Sequence, residues 1–269
     1  IVAGPASAAQ PAIPIVINEL MASNAGTTKD PQSQWDDWIE LHNMSDRSVD
    51  AGGLYLTDDL SSPTKWRVPN ATTIPARGYL LIWADGDIGD SGLHAGFELA
   101  ADGEMVALLA SDGETLIDIV DFGRQRADTS FGRSPNGSDN WGYLIAPSPG
   151  KANSAAYVGV VEELTFGRER GFWSEPFDLG IQTATANATI VYTLDGSRPT
   201  PTHGTTYQNP IRITTTTVVR AAAVKNNWLQ TEVETHTYLF LADVVRQPAE
   251  ILGYPRPWTW LGGNSYAYH

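Results

Sequence analysis

Short apolar runs separated by turn residues dominate the pattern of hydrophobic and polar positions along this chain. Two such runs, Glu104–Leu109 and Thr115–Val120, flank the pair Asp112-Gly113. Because Asx-Gly pairs supply the positive-φ positions of tight turns, we predict a β-hairpin here. A further run, Tyr79–Trp83, is apolar throughout and indicates a central strand buried on both faces.

No window of a dozen residues shows helical periodicity, so the fold class that we predict is all-β. The turn spacing favours two tandem β-sandwiches, the first immunoglobulin-like and the second fibronectin-III-like. We place the first domain at residues 15–154 and the second at 155–241, with the proline- and glycine-containing segment PSPGKANS near their boundary. An extended leader, 1–14, and a Pro/Gly-rich tail, 242–269, complete the chain.

Composition and charge exclude several classes of protein. The 269 residues carry a net charge of −14 and contain no cysteine. Residues 15–154 hold 21 acidic and 9 basic side chains, a balance of −12, whereas the rest hold 10 and 8, a balance of −2. A surface this acidic repels phosphate backbones, so we expect no nucleic acid partner. Disulfides and cysteine-zinc sites are excluded, and the absence of an apolar run of roughly 18 residues predicts no membrane span.

A series of motifs makes the first domain resemble a bacterial-type lamin-tail domain. The matching segments follow one another in order through the domain: INELMASN (17–24), DWIELHN (37–43), LYLTDD (54–59), KWRVP (65–69), YLLIWADG (79–86), LHAGFELAADGE (93–104), VDFGRQRADTSFGRSP (120–135) and PSPGKAN (147–153). The resemblance implies an immunoglobulin-like sandwich.

The second domain resembles the chitobiase/hexosaminidase C-terminal type. The motifs that carry this likeness are ERGFWSEPFDLGI, ATIVYTLDGSRPT, TYQNPI and VVRAAAVKNNWLQTEVETHTYLF. The resemblance implies an accessory, non-catalytic sandwich of secreted enzymes. The segments ADVVRQP and SYAYH in the tail are similar to the lead-in of a CotH-like kinase domain, which would place any kinase residues beyond His269.

Three carboxylates in one glycine-containing loop, Asp85, Asp87 and Asp90, are a candidate Ca²⁺ site. Calcium prefers oxygen ligands, but this spacing departs from the twelve-residue calcium loop and lacks its closing bidentate Glu. The alternative is a solvated acidic turn. Asp58-Asp59 is a weaker candidate for the same edge. We name no other cofactor.

Other chemistry-bearing residues favour structural roles. Asp36, Asp37 and Glu40 are closely spaced carboxylates, but strand alternation places Trp38 and Glu40 on the face opposite Ile39 and Leu41. The five histidines show no metal-ligand or triad spacing. Three arginines stand out in the acidic domain and are interpreted as internal ion pairs or, alternatively, as anion ligands: Arg124, Arg126 and Arg133. Four tryptophans are interpreted mainly as core, with stacking on sugars or partners as the alternative: Trp66, Trp141, Trp173 and Trp228.

The first functional hypothesis is a non-catalytic extracellular scaffold or adhesion protein of a bacterial cell surface. Its partners would be a protein or a polysaccharide. The second is the accessory N-terminal region of a larger secreted CotH-like kinase or hydrolase. The third is a subunit of a filament or surface layer that self-assembles through its terminal tails by strand addition.

Overall fold

The computed structural model describes residues 13–246, together with the backbone of two short strands at Trp258–Thr259 and Ser265–Tyr266. Its regular structure is almost entirely strand, which confirms the all-β prediction. In the described part, helix is confined to α1 (Leu241–Val244). No helix there is long and apolar enough to cross a membrane. Most of the predicted leader, 1–14, and of the predicted tail, 242–269, lies outside the described residues.

The chain divides into two compact units at Gly159/Val160, a few residues after the predicted boundary. From residue 13 onward, the first unit contains twelve strands: β1 (Ile15–Met21), β2 (Trp38–Asn43), β3 (Val49–Asp50), β4 (Tyr55–Thr57), β5 (Trp66–Arg67), β6 (Thr73–Ile74), β7 (Tyr79–Ala84), β8 (His94–Ala95), β9 (Gly103–Leu109), β10 (Leu116–Gly123), β11 (Phe131–Arg133) and β12 (Trp141–Tyr143).

Two sheets form the sandwich of the first unit. One has six strands in the order β12-β11-β1-β2-β7-β8, and the other has four in the order β10-β9-β4-β5. Ile17 and Leu41 from the six-stranded sheet share one buried core with Leu56, Val106 and Val120 from the four-stranded sheet. Apolar side chains of both sheets therefore meet between them, as a sandwich requires.

The structure confirms the predicted hairpin but not the central position predicted for the strand at Tyr79–Trp83. β9 and β10 pair antiparallel around Gly113, whose φ is +72°, which confirms the hairpin. β7 lies between β2 and the two-residue β8, next to the sheet edge, and the first three residues of β7 are only half-buried. The apolar run therefore correctly indicated a strand but not a central one.

The second unit has its own strands: β13 (Thr165–Phe166), β14 (Gly171–Trp173), β15 (Phe177–Leu179), β16 (Ile181–Gln182), β17 (Thr189–Thr193), β18 (Thr205–Thr206), β19 (Ile211–Ile213), β20 (Thr217–Val224) and β21 (Glu234–Phe240). A five-stranded sheet runs β14-β21-β20-β17-β18, and β15-β19 and β13-β16 are separate pairs. Leu179, Ile213, Val219 and Tyr238 form its buried core. The remaining strands, β22 (Trp258–Thr259) and β23 (Ser265–Tyr266), pair with each other.

Candidate functional site

A group of buried polar residues lies on the outer face of β1 and β2, away from the sandwich core. Asn18, Glu19 and Glu40 are each 0% exposed. They bond to a segment at the end of the first unit. We call this group the buried clasp; it consists of Asn18, Glu19, Glu40, Ser148, Gly150 and Asn153.

A β-bulge places the two carboxyl groups of the clasp side by side. Ile17 pairs with Leu41, yet Glu19 pairs with Glu40, so Asn18 is an extra residue in β1. Without the bulge, strand alternation would put Glu19 on the core face with Ile17. Met21 and Trp38 also lie outside the main core, in a small buried cluster of their own. The predicted orientation of Trp38 and Glu40, opposite to Ile39 and Leu41, is thereby confirmed.

Both carboxyl groups accept hydrogen bonds from the clasp segment. The Ser148 amide donates to Glu19 Oε1 at 2.9 Å, and the Ser148 hydroxyl donates to Glu19 Oε2 at 2.8 Å. The Gly150 amide donates to Glu40 Oε2, and Asn18 Nδ2 lies 3.4 Å from Glu40 Oε1. These contacts fasten the segment around residues 148–150 onto β1 and β2.

Asn153 completes the clasp by bonding to backbone and side chain together. Its Nδ2 donates to the carbonyls of Asn18 at 3.0 Å and Arg133 at 2.8 Å. Its Oδ1 accepts from Asn18 Nδ2 at 2.9 Å. A Cβ at Gly132 would stand 2.8 Å from Asn153 Nδ2, so the close approach of this amide requires glycine in β11.

Burial controls the protonation of the clasp carboxyl groups. Removal from water raises the pKa of Glu40 to about 8, the hydrogen bond from Gly150 opposes this rise, and the neighbouring Glu19 adds to it. Burial also raises the pKa of Glu19. Each carboxyl is shielded from solvent and already bonded within the domain, so the arrangement is suited to fastening the chain rather than to meeting a substrate.

A second buried polar contact joins β10, β11 and β1. Arg133 Nη2 lies 2.8 and 2.9 Å from the two carboxylate oxygens of Asp118. Arg133 Nε donates to the Ile17 carbonyl at 2.8 Å, and the Ile17 amide donates to Asp118 Oδ2 at 2.8 Å. The predicted internal ion pairing is confirmed for Arg133. Arg124, by contrast, is 77% exposed and lies 3.9 Å from Asp102.

The predicted calcium loop contains an aspartate–histidine pair. Asp85 Oδ2 lies 2.7 Å from His94 Nδ1, and Asp85 Oδ1 accepts from the Asp87 amide at 3.0 Å. His94 Nε2 lies 3.2 Å from the Ser91 carbonyl, so both ring nitrogens face acceptors, as in an imidazolium. Burial lowers the pKa of His94, but the hydrogen bond and charge of Asp85 outweigh it and raise the pKa overall. Asp85 therefore has both oxygens engaged.

Within residues 13–246, no three His, Asp or Glu side chains come together as a group that could hold a metal ion. Calcium at Asp85, Asp87 and Asp90 stays a prediction, as does the weaker one at Asp58-Asp59, where Lys65 lies 2.6 Å from Asp58.

The remaining candidates take mainly structural positions. Asp37 Oδ1 accepts from the Asn24 amide at 2.9 Å, whereas Glu40 belongs to the clasp, so these carboxylates serve different contacts. Trp66 is a core residue at 9% exposure, which confirms the core interpretation there. Trp141, Trp173 and Trp228 are partly buried against the two cores.

Sequence reasoning missed Asn18, Glu19, His94 and Asn153 as members of polar networks. A signal was present for two of them, because Asn18-Glu19 interrupts the apolar strand IVINELM. No local sequence pattern indicated a role for Asn153, which hydrogen-bonds to Asn18, 135 residues earlier in the sequence.

Comparison with known families agrees with this architecture. Residues 8–124 match the Lamin Tail Domain family, and residues 169–237 match the Chitobiase/beta-hexosaminidase C-terminal domain family. The chain therefore carries a lamin tail domain followed by a chitobiase/beta-hexosaminidase C-terminal domain, in the order that the sequence motifs predicted. No curated protein matches the chain. The CotH-like lead-in falls outside both matches and, for the most part, outside the described residues.

Proposed function

We propose that this chain is a non-catalytic binding and scaffold region of an extracellular bacterial surface protein. The observation that carries the proposal is that three ionisable side chains buried in the first unit bond to other parts of that same unit. Glu19 and Glu40 hold residues 148–150, and Arg133 holds β1 and Asp118. Two sandwich domains of families consistent with binding or scaffold modules support the same conclusion.

The proposal predicts binding without turnover. We expect the purified chain to sediment with a cell-surface polysaccharide or to retain a surface protein, and to cleave no glycoside and transfer no phosphate from ATP. Insoluble peptidoglycan, chitin and cellulose serve as the polysaccharide probes, and a heat-denatured sample serves as the control.

Hydrolase or kinase activity in the chain that disappears in Glu40→Gln or Glu19→Gln would refute the proposal. Fractionation of the native host tests the location separately: finding the protein solely in the cytoplasm would refute the extracellular part.

The second candidate is the accessory region of a larger secreted enzyme, favoured by the CotH-like segments ADVVRQP and SYAYH. Mass spectrometry of the native protein decides this question. A species much larger than the 29.1 kDa of this chain, with ATP-dependent phosphotransfer, supports it. A native species that ends at His269 rejects it. The filament hypothesis rests on tails outside the described residues and stays a hypothesis.

A further inference from the structure

Three oxygen atoms in the loop between β1 and β2 are buried and have no hydrogen-bond partner. They are Asp30 Oδ2, Gln32 Oε1 and Asp36 Oδ2. Asp30 is 6% exposed, so its orphaned oxygen lies well below the surface. A buried carboxylate or amide oxygen without a partner is costly, because such an atom carries no proton and only a donor or a cation can satisfy it.

The loop that carries these atoms is held in place by its other polar groups. Asn24 Nδ2 donates to the carbonyls of Thr28 at 2.6 Å and Asp36 at 2.8 Å. Asp30 Oδ1 accepts from the Gln34 amide. The internal hydrogen bonds of the loop thus use one oxygen of Asp30 and leave the other available to a ligand.

A second acidic loop lies against the first. Gln32 Nε2 donates to the Ser91 carbonyl at 3.2 Å, which fixes the amide and leaves Oε1 as the unsatisfied atom. Burial raises the pKa of Asp36, the negative charges of Asp85, Asp30 and Asp87 raise it further, and the charge of His94 opposes this rise. Asp36 therefore lies within electrostatic reach of three other carboxylates.

The cations nearby already have other partners. Lys29 Nζ lies over the Trp35 ring, 4.7 Å from its centroid. His94 is bound to Asp85 and Ser91. Both cations keep their charge, but they are outnumbered by the aspartates Asp30, Asp36, Asp85 and Asp87, and the three unsatisfied atoms are all oxygen. Hard divalent cations prefer oxygen ligands, and Ca²⁺ tolerates the irregular, mixed carboxylate–amide sets that Mg²⁺ does not.

We propose that Asp30 Oδ2, Gln32 Oε1 and Asp36 Oδ2 bind a Ca²⁺ ion where the two acidic loops meet. The ligand set combines two carboxylates with one amide oxygen, so it is not a cluster of three acidic side chains. It also differs from the set predicted from sequence, since Asp85 has both oxygens engaged. Sites with few charged ligands in extracellular modules bind calcium with a dissociation constant of about 0.1 to 1 mM, and we expect that range here.

Calcium and terbium titrations of the full chain test this site. We expect calorimetric Ca²⁺ uptake at one site and a rise in unfolding temperature of roughly 5 °C at 10 mM Ca²⁺. Tb³⁺ should give luminescence sensitised by Trp35, and Ca²⁺ should displace it. Mg²⁺ at equal concentration should displace far less.

Single substitutions identify the ligands. Asp36→Asn and Gln32→Leu should each raise the dissociation constant at least tenfold, whereas Gln32→Glu, which retains an oxygen and adds charge, should keep or tighten binding. Asp46→Asn, an exposed change in the same unit, controls for net charge. Asp90→Asn tests the set predicted from sequence and should leave affinity within about twofold. Circular dichroism verifies that each variant is folded.

The proposal fails if the folded chain takes up no Ca²⁺ and gives no sensitised Tb³⁺ emission, in which case water satisfies the three oxygens. It fails equally if Asp36→Asn and Gln32→Leu remain folded and bind as the parent does, or if Asp90→Asn alone abolishes binding. This test does not depend on the proposed scaffold function.

Discussion

The burial of Glu40 makes the stability of the fold depend on pH. Its carboxyl is 0% exposed, lies opposite Glu19 and has a pKa near 8. Between the ordinary glutamate pKa of 4.5 and about 8, the folded state holds a proton that the unfolded state releases. Unfolding then releases protons, so stability should fall as pH rises through this window, by up to about 1.4 kcal/mol per pH unit for each proton.

Replacing Glu40 with Gln should remove much of this pH dependence. The neutral amide keeps the shape of the carboxyl but cannot ionise. Urea unfolding at pH 5 and pH 8 should show a smaller loss of stability in Glu40→Gln than in the parent. Glu114→Gln, at an exposed position, is the control and should retain the parental difference. An unchanged pH dependence in Glu40→Gln would show that this carboxyl does not hold the proton.

Two ion pairs in the same chain differ both in burial and in hydrogen bonding, so comparing them measures what a buried, hydrogen-bonded pair contributes to stability. The side chains of Arg133 and Asp118 are 6% and 12% exposed, whereas those of Arg212 and Asp178 are 58% and 61% exposed. Asp118→Ala should destabilise by about 3–5 kcal/mol, because it removes the buried partner of a buried guanidinium and leaves the fully exposed Asp139, 3.6 Å away, as a weaker one. Asp178→Ala should lower the free energy of unfolding by less than about 1 kcal/mol. Chemical denaturation measures both, and equal costs would contradict the assignment of Arg133 as a buried structural ion.

At the scale of elements, the β9–β10 hairpin begins and ends with paired glycines in different environments. Gly103 and Gly123 face each other in the register. Gly103 has a φ of +108°, and a Cβ there would stand 2.7 Å from the Phe122 carbonyl oxygen, whereas a Cβ on Gly123 would meet nothing within 4 Å. Backbone atoms cannot move aside as a flexible side chain can, so only Gly103 is conformationally required.

Alanine at these two positions should therefore have unequal effects. We expect Gly103→Ala to destabilise the first unit by about 2 kcal/mol or more and Gly123→Ala to change stability by less than about 1 kcal/mol. Thermal unfolding with a probe in the first unit measures the difference. Comparable losses at both positions would show that the close approach at Gly103 is relieved by local adjustment.

Elements fixed by local chemistry could be predicted, whereas contacts set by distant packing could not. The β9–β10 hairpin followed from Asp112-Gly113 between two apolar runs, and the order of the two domains followed from their family-like motifs. The position of β7 next to the sheet edge depends on the short edge strand β8, which no local pattern marks. The clasp depends on a one-residue bulge at Asn18 and on Asn153, which lies far along the chain. The alternation of hydrophobic and polar residues predicts neither the bulge nor the contact of Asn153.

At the scale of the whole molecule, the two units have separate hydrophobic cores and differ in net charge. Residues of the first core lie between Ile15 and Phe122, and those of the second lie between Val161 and Phe240. The acidic excess is concentrated in residues 15–154, at 21 − 9 = 12 negative charges, against 10 − 8 = 2 elsewhere. Self-repulsion of like charges destabilises a compact state and is screened by salt.

Fragments 13–159 and 160–246 should each fold alone, since each keeps its own core. Raising NaCl from 20 to 200 mM shortens the Debye length from about 20 to about 7 Å. The unfolding temperature of the first fragment should therefore rise, whereas that of the second should change much less. Circular dichroism and thermal unfolding of the two fragments provide the measurement. A first fragment that does not fold, or an equal salt response in both fragments, would contradict this division of charge and core.

The position of the clasp determines where the lamin tail domain can be cut. The family match stops at residue 124, yet β11 pairs with β1, and Ser148, Gly150 and Asn153 cover the carboxyl pair. An expression boundary drawn at the end of the match would discard two strands of the six-stranded sheet, β11 and β12, and would expose the buried carboxyl groups of Glu19 and Glu40 to solvent. Anyone cloning this domain should therefore extend it at least to Tyr157, whose amide bonds to the Tyr143 carbonyl at 2.8 Å.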